Sequence, residues 1–324
     1  MKFLITGITG FAGAHMANLL IEQGHDVYGL VRGSNGMESD ILDTVSQHKF
    51  DKIKFLYGNL EDRMALRRVF LEAKFDGCFA LAAQSHPPTS FLQPLDTFRT
   101  NIMGMANLIS VVEEFNHCKL MFCSTSEVYG NGGKAGNLLR ETTPMEPCNP
   151  YAVSKAAIDL YMQERMMNKK INGFITRAFS HCGTRRGRNF SISSDAYQIA
   201  NIMLGNKPPE VFVGNLDTVR VVIDVRDVVN AYYMLMLNNK SSGRIFNVCG
   251  DTPRKMAFFT DWLIEYSKID IKKTISKEFY RPIDISYQHG DSSSLKDITG
   301  WRAELGIERT LVDLIQYWLK KLKK

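Results

Sequence analysis

Apolar and polar residues alternate along the amino-terminal half of the chain in a way that predicts short strands separated by helices. Apolar runs rich in β-branched and aromatic residues predict strands at residues 2–5, 26–31, 53–57, 77–82 and 120–123. Between the first two strands, Met16, Leu19 and Leu20 have helical spacing, and Gly24 stands where a helix end favours a left-handed residue. This strand–helix–strand unit is typical of a parallel sheet covered by helices.

An apolar stripe predicts a further helix at residues 97–115. The members of the stripe recur at helical spacing: Ile102, Met105, Leu108, Ile109 and Val112. A stripe of this kind can simply cover the sheet, and it also suits a helix-on-helix contact between two copies of the chain. The helix that follows Tyr151 offers the same two alternatives.

The alternation becomes less regular after Phe179, which indicates a second region. Helices are predicted at residues 195–204, 225–237, 256–266 and 310–322, and strands at residues 219–223 and 244–248. We therefore predict an α/β fold, with a Rossmann-like, doubly wound parallel sheet in residues 1–178 and a smaller carboxy-terminal α/β substrate region in residues 179–324, with some chain exchange between the two. Because the sequence has no long linker, the ligand is expected in a cleft between them.

Composition places the chain among globular proteins and argues against several classes. Of 324 residues, 44% are hydrophobic and 23% are charged, and no run approaches the roughly 18 consecutive apolar residues of a membrane span. We expect a cytoplasmic protein with no membrane or nucleic-acid partner, because a lysine-rich tail can account for four of the six surplus positive charges. The cysteines and histidines show no CxxC or HExxH spacing, so no metal site is expected.

Three glycines directly after the first predicted strand indicate a dinucleotide site. Gly7, Gly10 and Gly13 lie in the run Gly-Ile-Thr-Gly-Phe-Ala-Gly at the start of the first helix. The first allows a tight turn, the second lets the backbone approach a pyrophosphate, and the third lets the helix pack closely on the sheet. Phosphates would face the N-terminus of the helix. We expect Thr9 and Phe11 of the same loop to contact the cofactor as well.

The end of the second predicted strand favours NADP over NAD. It carries Arg32 and Ser34 where an acidic residue would accept hydrogen bonds from the adenosine ribose of NAD. A cation and a hydroxyl suit a 2′-phosphate, and NAD is the alternative cofactor. Asn59 and Leu60, after the third strand, stand where contacts with adenine are expected.

Tyr151 and Lys155 form a candidate catalytic pair. They lie four positions apart at the start of the helix predicted after Asn149 and Pro150, so both side chains share one helix face. A free tyrosine has a pKa of about 10, and an adjacent ammonium and an oxidised nicotinamide both favour the phenolate. Together with the glycine loop, the pair predicts hydride-transfer chemistry.

Further motifs extend this pattern along the chain. They are Leu-Ala-Ala-Gln-Ser-His at residues 81–86, Ser-Thr-Ser-Glu-Val-Tyr-Gly at 124–130, Arg-Arg-Gly at 185–187, Gly-Asn-Leu at 214–216 with Arg220, Asp-Val-Arg-Asp at 224–227, Arg-Pro at 281–282, Gly-Asp at 290–291 and Gly-Trp at 300–301. With them, the chain resembles the extended short-chain dehydrogenase/reductases over nearly its whole length. Within that family it is similar to the nucleotide-sugar 4,6-dehydratases of the GDP-mannose type. Thr125 and Glu127 are the residues that indicate dehydration among the reactions of the family.

The resemblance implies that Thr125, Glu127, Tyr151 and Lys155 are catalytic. Tyr151 would take the proton of the C4 hydroxyl of a hexose while Lys155 holds ribose hydroxyls and lowers the pKa of the tyrosine, and Thr125 would hydrogen-bond the same oxygen. The resulting 4-ketone acidifies the C5 proton, which Glu127 would remove as the C6 hydroxyl leaves. The hydride then returns to C6, so the cofactor ends as it began.

The resemblance also implies a set of binding contacts. Beside the residues named above, the cofactor would contact Leu81, Ala82 and Ala83, and the substrate would contact Ser85, Ser126, Ser180, Arg186, Asn189, Arg220 and Arg281. Gln84 and His86 would line the path of the sugar and pyrophosphate. Arg185 and Arg186 would belong to a loop that reaches a neighbouring subunit's cofactor, and we expect a homodimer or homotetramer.

Two departures from the family pattern leave the identity of the substrate sugar undetermined. Ser180 stands where the family has asparagine, and Pro87 and Pro88 follow His86. GDP-mannose and GDP-D-glycero-D-manno-heptose are therefore both candidate substrates. A GDP-4-keto-sugar reductase or epimerase and a non-catalytic dinucleotide sensor or scaffold are the alternative functions.

Overall fold

The computed structural model describes residues 1–33, 37–134, 136–279 and 283–323. Its strands are β1 (Lys2–Thr6), β2 (Asp26–Val31), β3 (Ile53–Tyr57), β4 (Gly77–Ala80), β5 (Lys119–Thr125), β6 (Gly173–Ala178), β7 (Ser180–Cys182), β8 (Glu210–Val213), β9 (Val219–Asp224), β10 (Ile245–Val248), β11 (Pro253–Lys255), β12 (Lys272–Ile275) and β13 (Tyr287–Gln288). Its helices are α1 (Phe11–Glu22), α2 (Gln47–Phe50), α3 (Arg63–Glu72), α4 (Pro87–Leu92), α5 (Pro94–Phe98), α6 (Gly104–Phe115), α7 (Pro150–Met167), α8 (Ser191–Met203), α9 (Val225–Leu237), α10 (Met256–Ser267), α11 (Ser293–Thr299) and α12 (Ile307–Leu322).

A seven-stranded parallel sheet forms the centre of the fold, in the order β10-β6-β5-β4-β1-β2-β3. In β1, Phe3 and Ile5 pack on one face and Leu4 on the other, and all three are fully buried, which is why the strand is a continuous apolar run. Strand order reverses between β1 and β4, and this reversal opens a crevice at their carboxyl ends. The predicted doubly wound α/β fold is confirmed.

Helices cover both faces of this sheet. α1 and α9 pack on one face, and α3, α6 and α7 pack on the other. Four members of the predicted stripe, Met105, Leu108, Ile109 and Val112, are buried in the core beneath α6. The stripe therefore covers the sheet and is not available for a contact with another copy of the chain.

Two predicted elements end differently in the structure. The predicted helix at 97–115 consists of α5, a π-helical turn at Arg99–Met103 and α6, because the side chain of Asn101 in the widened turn binds the backbone of Gln84. The predicted strand at 77–82 ends at Ala80. Beyond it the chain turns away at the crevice, where the amide of Ala82 donates to Thr6 Oγ1 at 3.2 Å.

The later part of the chain builds a separate core beside the carboxyl edge of the sheet. α8, α10 and α12 pack around apolar side chains that include Ile199, Phe259, Leu263 and Leu314. β9 lies between β11 and β13 and also pairs with β7, whereas β8 pairs with β12. β10 comes from this part of the chain and forms an edge of the central sheet beside β6. Among the described residues, no helix is both long enough and apolar enough to cross a bilayer.

Candidate active site

The glycine loop between β1 and α1 lies against the end of β4. Gly7 has a φ of +71°, and a Cβ there would lie 2.8 Å from the backbone of Ala82. A Cβ on Gly13 would lie 2.1 Å from the carbonyl oxygen of Gly7. Gly10 is the N-cap of α1 and donates to Gly7 O at 2.9 Å. The backbone thus forms a close-fitting turn at the N-terminus of a helix, which suits a pyrophosphate.

One cavity of about 990 Å³ extends from this loop along the carboxyl edge of the sheet to α8 and β8. Every residue expected at the cofactor lines it: Gly7, Thr9, Gly10, Phe11, Gly13, Arg32, Asn59, Leu60, Leu81, Ala82, Ala83, Tyr151 and Lys155. So do Thr125, Glu127, Ser85, Ser126, Ser180, Arg186, Asn189 and Arg220. Ser34 and Arg281 lie outside the described residues. The volume of the cavity is at the upper end of the range of about 300–1,000 Å³ for ligand sites.

The amino end of α7 holds the Tyr-Lys pair in the cavity wall. Asn149 caps the helix by accepting from the amide of Ala152 at 2.8 Å, and Pro150 occupies the first helical position. Lys155 Nζ donates to the carbonyl oxygen of Cys123 at 2.7 Å, at the end of β5. Burial lowers the pKa of Lys155. The ammonium is therefore fixed between helix and sheet with further donors to offer a ligand.

The phenol of Tyr151 is neutral at pH 7 in this structure. Burial raises the pKa of Tyr151, and the charge of Glu127 adds to the rise, whereas a hydrogen bond with Thr125 and the charge of Arg186 lower it. The expected lowering of this pKa by Lys155 stays a prediction for the protein with its cofactor bound.

Glu127 lies on the same cavity wall, in the 3₁₀ turn Ser126–Gly132 that follows β5. Asn149 Nδ2 donates to its Oε2 at 2.7 Å, and its own amide donates to Thr125 Oγ1 at 3.3 Å. Asn149 thus caps α7 and orients Glu127 with the same side chain. Asn149 was not predicted as a site residue, although an asparagine before proline at a helix start was a signal that could have indicated it.

A second unpredicted residue, Asn101, connects the segment after β4 to α7. Its Oδ1 accepts from the amide of Gln84 at 2.8 Å, and its Nδ2 donates to Gln84 O and to Ser154 Oγ, both at 2.9 Å. Ser154 Oγ donates in turn to the carbonyl oxygen of Tyr151 at 2.7 Å. No local pattern could have found this residue, because its partners are distant in sequence.

The segment with Arg185 and Arg186 contacts this chain's own glycine loop. Arg185 donates to the carbonyl oxygens of Thr9 at 2.7 Å and Gly10 at 3.3 Å. The guanidinium of Arg186 lies 5.0 Å from the ring centroid of Phe11 and 3.5 Å from that of Phe190. Burial lowers the pKa of Arg186 to about 10. Both arginines thus contact residues of this chain, and the expected reach of this loop toward a neighbouring subunit stays a prediction.

On the substrate side, several expected residues already have protein partners. Ser126 is buried and its hydroxyl donates to Gln288 Oε1 at 3.2 Å. Arg220 donates to the carbonyl oxygen of Ile285 at 2.6 Å and lies 3.5 Å from the carboxylate of Asp284. The contacts of Arg220 hold the residues before β13 against β9, and the hydrogen bond from Ser126 joins β13 to the turn after β5.

His86 and Asn189 close the cavity from two sides. Nε2 of His86 lies 3.1 Å from the carbonyl oxygen of Asn189, and its Nδ1 lies 2.9 Å from Thr89 Oγ1. Ser180 is half-buried on β7, beside the cavity.

In the described part of the chain, no group of three or more His, Cys, Asp or Glu side chains could hold a metal ion. The site therefore offers acid–base groups and a dinucleotide cradle.

Comparisons with known proteins agree with this geometry. The family described as GDP-mannose 4,6 dehydratase matches residues 4–314. GDP-mannose 4,6 dehydratase 1 of Arabidopsis thaliana is 29% identical over 99% of this chain and 90% of its own length. GDP-6-deoxy-D-mannose reductase of Pseudomonas aeruginosa is 25% identical over 100% of this chain and 99% of its own length.

A solved structure shares the fold. The structure of RMD from Pseudomonas aeruginosa complexed with NADPH has a TM-score of 0.82 and 24% identity, and the match covers 99% of each chain. The family match spans the glycine loop, the Thr125 to Glu127 segment and the Tyr-Lys pair. The resemblance found in the sequence is thus confirmed, and the chain belongs to the GDP-mannose 4,6 dehydratase family.

Proposed function

We propose that this protein catalyses the NADP-dependent 4,6-dehydration of a GDP-linked sugar, either GDP-mannose or GDP-D-glycero-D-manno-heptose, to its 4-keto-6-deoxy product. The observation that carries the proposal is the carboxylate of Glu127, which Asn149 holds at the wall of the cavity that Tyr151 and Thr125 also line. Hydride transfer needs the phenol and the amine, and dehydration needs in addition a base for the C5 proton.

The amino-terminal end of the cavity would hold the cofactor. The turn at Gly7 and Gly13 has no room for a side chain, so the backbone itself would face the pyrophosphate. Arg32 is exposed at the end of β2, which supports pairing with the 2′-phosphate of NADP. When bound, the nicotinamide would accept a hydride from C4 of the sugar and later return it to C6.

The residues at the end of β5 and the start of α7 would carry out the oxidation at C4. Tyr151 would take the proton of the C4 hydroxyl, and Thr125 would hydrogen-bond the same oxygen. Because burial favours the neutral phenol, the positive charges of Arg186 and Lys155 are needed to stabilise the phenolate at that moment. Lys155, held by the Cys123 carbonyl, would also donate to the hydroxyls of the ribose.

Glu127 would carry out the elimination. Once C4 is a ketone, the C5 proton is acidic enough for a carboxylate to remove, and the same group can then protonate the departing C6 hydroxyl. The hydrogen bond from Asn149 holds the carboxylate of Glu127 in position for this transfer. Ser126 precedes Glu127 but donates to Gln288, so we assign the acid step to Glu127 itself.

A 4-keto-sugar reductase is the second candidate function. It is favoured by the Pseudomonas aeruginosa GDP-6-deoxy-D-mannose reductase, which aligns with this chain from end to end. A reductase would consume NADPH in step with its substrate, whereas a dehydratase leaves the amount of NADPH unchanged.

The test combines product mass with cofactor accounting. Purified protein with NADP is incubated with GDP-mannose and, separately, with GDP-D-glycero-D-manno-heptose. We expect one of them to give a product lighter by one water with no net reduction of NADP.

Tyr151→Phe is expected to lower the rate of this dehydration by about 10²- to 10⁴-fold. Glu127→Gln is expected to accumulate reduced cofactor and unreleased 4-keto sugar. Unchanged sugar in both mixtures, or stoichiometric loss of NADPH with a 4-keto sugar, would reject the dehydratase assignment.

A homodimer or homotetramer remains part of the proposal. Neighbouring elements α4, α5, the π turn and α7 expose large apolar side chains at Leu92, Leu95, Met103, Val153 and Leu160. Exposed apolar groups that cluster on one side of a protein mark an interaction surface. Of these elements, α7 packs on the sheet, and α4, α5 and the π turn pack against α7.

A further inference from the structure

A buried carboxylate lies at the end of the cavity opposite the glycine loop. Asp195, on α8, is 5% exposed and lines the cavity. Thr260 Oγ1, on α10, donates to its Oδ2 at 2.7 Å. Within the described ranges, this is the single hydrogen bond to the Asp195 carboxylate, and no cation forms an ion pair with it. A carboxylate offers about four acceptor positions, so most of its acceptor capacity is left for a ligand in the cavity that Asp195 lines.

A structural role alone does not account for a carboxylate at this position. Burying an ionisable group without an opposite charge is unfavourable, and burial raises the pKa of Asp195 to about 7. The hydrogen bond from Thr260 ties α8 to α10, and a neutral asparagine would accept it equally well with a smaller loss of solvation. The carboxylate therefore indicates a ligand that brings its own N–H or O–H donors.

The surroundings of Asp195 suit a flat ring. Met256 and Thr260 lie four positions apart on α10, so Met256 lies on the face that meets Asp195. Phe212 on β8 is tied to α8 through backbone hydrogen bonds with the side chain of Gln198, at 2.9 and 3.0 Å. Phe212 and Met256 both line the cavity. Apolar walls beside a polar carboxylate are the chemistry that holds a nucleobase.

Among the nucleobases, guanine matches a carboxylate best. Its ring N1–H and its exocyclic amino group are adjacent donors that can reach the two oxygens of one carboxylate. Adenine presents an acceptor at ring N1, and uracil presents one N–H between two carbonyl oxygens, so each would place an acceptor against the carboxylate. We propose that Asp195 selects guanine, with its carboxylate accepting hydrogen bonds from N1–H and from the exocyclic amino group. This inference rests on the proposed use of a GDP-linked substrate and names the residue that would recognise the base.

Nucleotide binding tests the inference without requiring turnover. GDP, inosine diphosphate and ADP are titrated calorimetrically into the NADP-loaded full-length protein. Inosine diphosphate keeps N1–H but lacks the 2-amino group of guanine. ADP lacks both of these donors, because its N1 is an acceptor and its amino group is on C6. Wild-type protein is expected to bind GDP about tenfold more tightly than inosine diphosphate and about 100-fold more tightly than ADP. This comparison uses wild-type protein alone, so it does not depend on the folding of a variant.

Asp195→Asn then tests the residue itself. It preserves the side-chain volume and can still accept from Thr260, and it is expected to weaken GDP binding by about 100-fold while the three nucleotides converge in affinity. The matched control is Asp261→Asn, which follows Thr260 on α10 and carries an exposed carboxylate paired with Lys273. The control is expected to keep the wild-type order of affinities.

The outcomes separate this inference from the proposed reaction. Equal wild-type affinities for the three nucleotides, or an Asp195→Asn protein with the wild-type order, would overturn guanine selection by Asp195 even if dehydration is observed. If dehydration is absent in the wild-type protein but the order of affinities and its loss in Asp195→Asn are seen, the proposed reaction fails and guanine selection by Asp195 is supported.

Discussion

Backbone atoms shape one end of the cavity, and side chains shape the other. At the cofactor end, six residues of the glycine loop, Gly7 and residues 9–13, line the cavity, and a Cβ added at Gly7 or Gly13 would meet backbone atoms. At the nucleotide end, Asp195, Phe212 and Met256 come from three separate elements, and their side chains form the wall. A backbone wall tolerates few substitutions, whereas a wall of side chains can change one residue at a time. We therefore expect the nucleotide end to determine which substrate this chain binds.

The largest effect is expected from adding a side chain to the glycine loop at the cofactor end. In Gly13→Ala the new Cβ would lie 2.1 Å from Gly7 O, so the turn between β1 and α1 has to move. We expect a loss of stability of about 3 kcal/mol and no measurable NADP binding. Thermal unfolding and titration with NADP measure the two effects.

A glycine outside the cavity provides the matched control. Gly306, the N-cap of α12, has a φ of −61°, and its added Cβ would meet only Glu308 Oε2, at 3.5 Å. Gly306→Ala is expected to change stability by less than about 1 kcal/mol and to leave NADP binding intact. Equal NADP affinity in the Gly13→Ala and Gly306→Ala proteins would show that the backbone fit does not govern the cofactor end.

The same difference explains what could be predicted from the sequence. The glycine loop, β2, β3 and α9 were predicted with the bounds that the structure has or within one residue of them, because each is defined by a local apolar period and a nearby glycine or cap. β6, α3 and the short strands around β9 were not predicted. The strands around β9, namely β7, β11 and β13, are only two or three residues long, and they exist because of pairing with distant neighbours.

The candidate site divides in the same way. Tyr151, Lys155 and the glycines have fixed spacing, so the amino-acid sequence is sufficient to indicate them. The position of Arg186 between Phe11 and Phe190, and the two hydrogen bonds from Asn149, depend on how distant segments pack. Asp195 fell at the start of a predicted helix, where a carboxylate is ordinarily a capping or surface group. Only its burial and its place at the cavity indicate a binding role.

A second variant tests the middle of the cavity, where the side chain of Asn149 positions Glu127. Asn149→Asp keeps the oxygen that caps α7 and replaces the amide that donates to Glu127 with a second carboxylate. Repulsion between the two carboxylates is expected to displace Glu127 and to lower kcat by about 100-fold. KM and NADP affinity are expected to change little, because Asn149 does not line the cavity. Steady-state kinetics and NADP titration separate these quantities.

The matched control for this test is another asparagine that caps a turn away from the cavity. Asn238 accepts from the amide of Lys240 at 2.8 Å and donates to the carbonyl oxygen of Ile298 at 2.6 Å. Asn238→Asp is expected to lose about 1 kcal/mol of stability and to keep full activity. If Asn149→Asp kept the wild-type kcat, Glu127 would not depend on Asn149 for its position.

The smallest effect is expected where a side chain, rather than the backbone, contacts the cofactor. Arg32 is exposed at the end of β2, so the proposed pairing with a 2′-phosphate is screened by water and salt. Arg32→Ala is expected to weaken NADP binding by about tenfold and to leave NAD binding unchanged, because NAD lacks that phosphate. Arg302→Ala, at another exposed arginine, is expected to alter neither affinity. If Arg32→Ala left the ratio of the two affinities unchanged, the preference for NADP would have to come from the backbone wall. The cofactor end would then depend on backbone contacts alone.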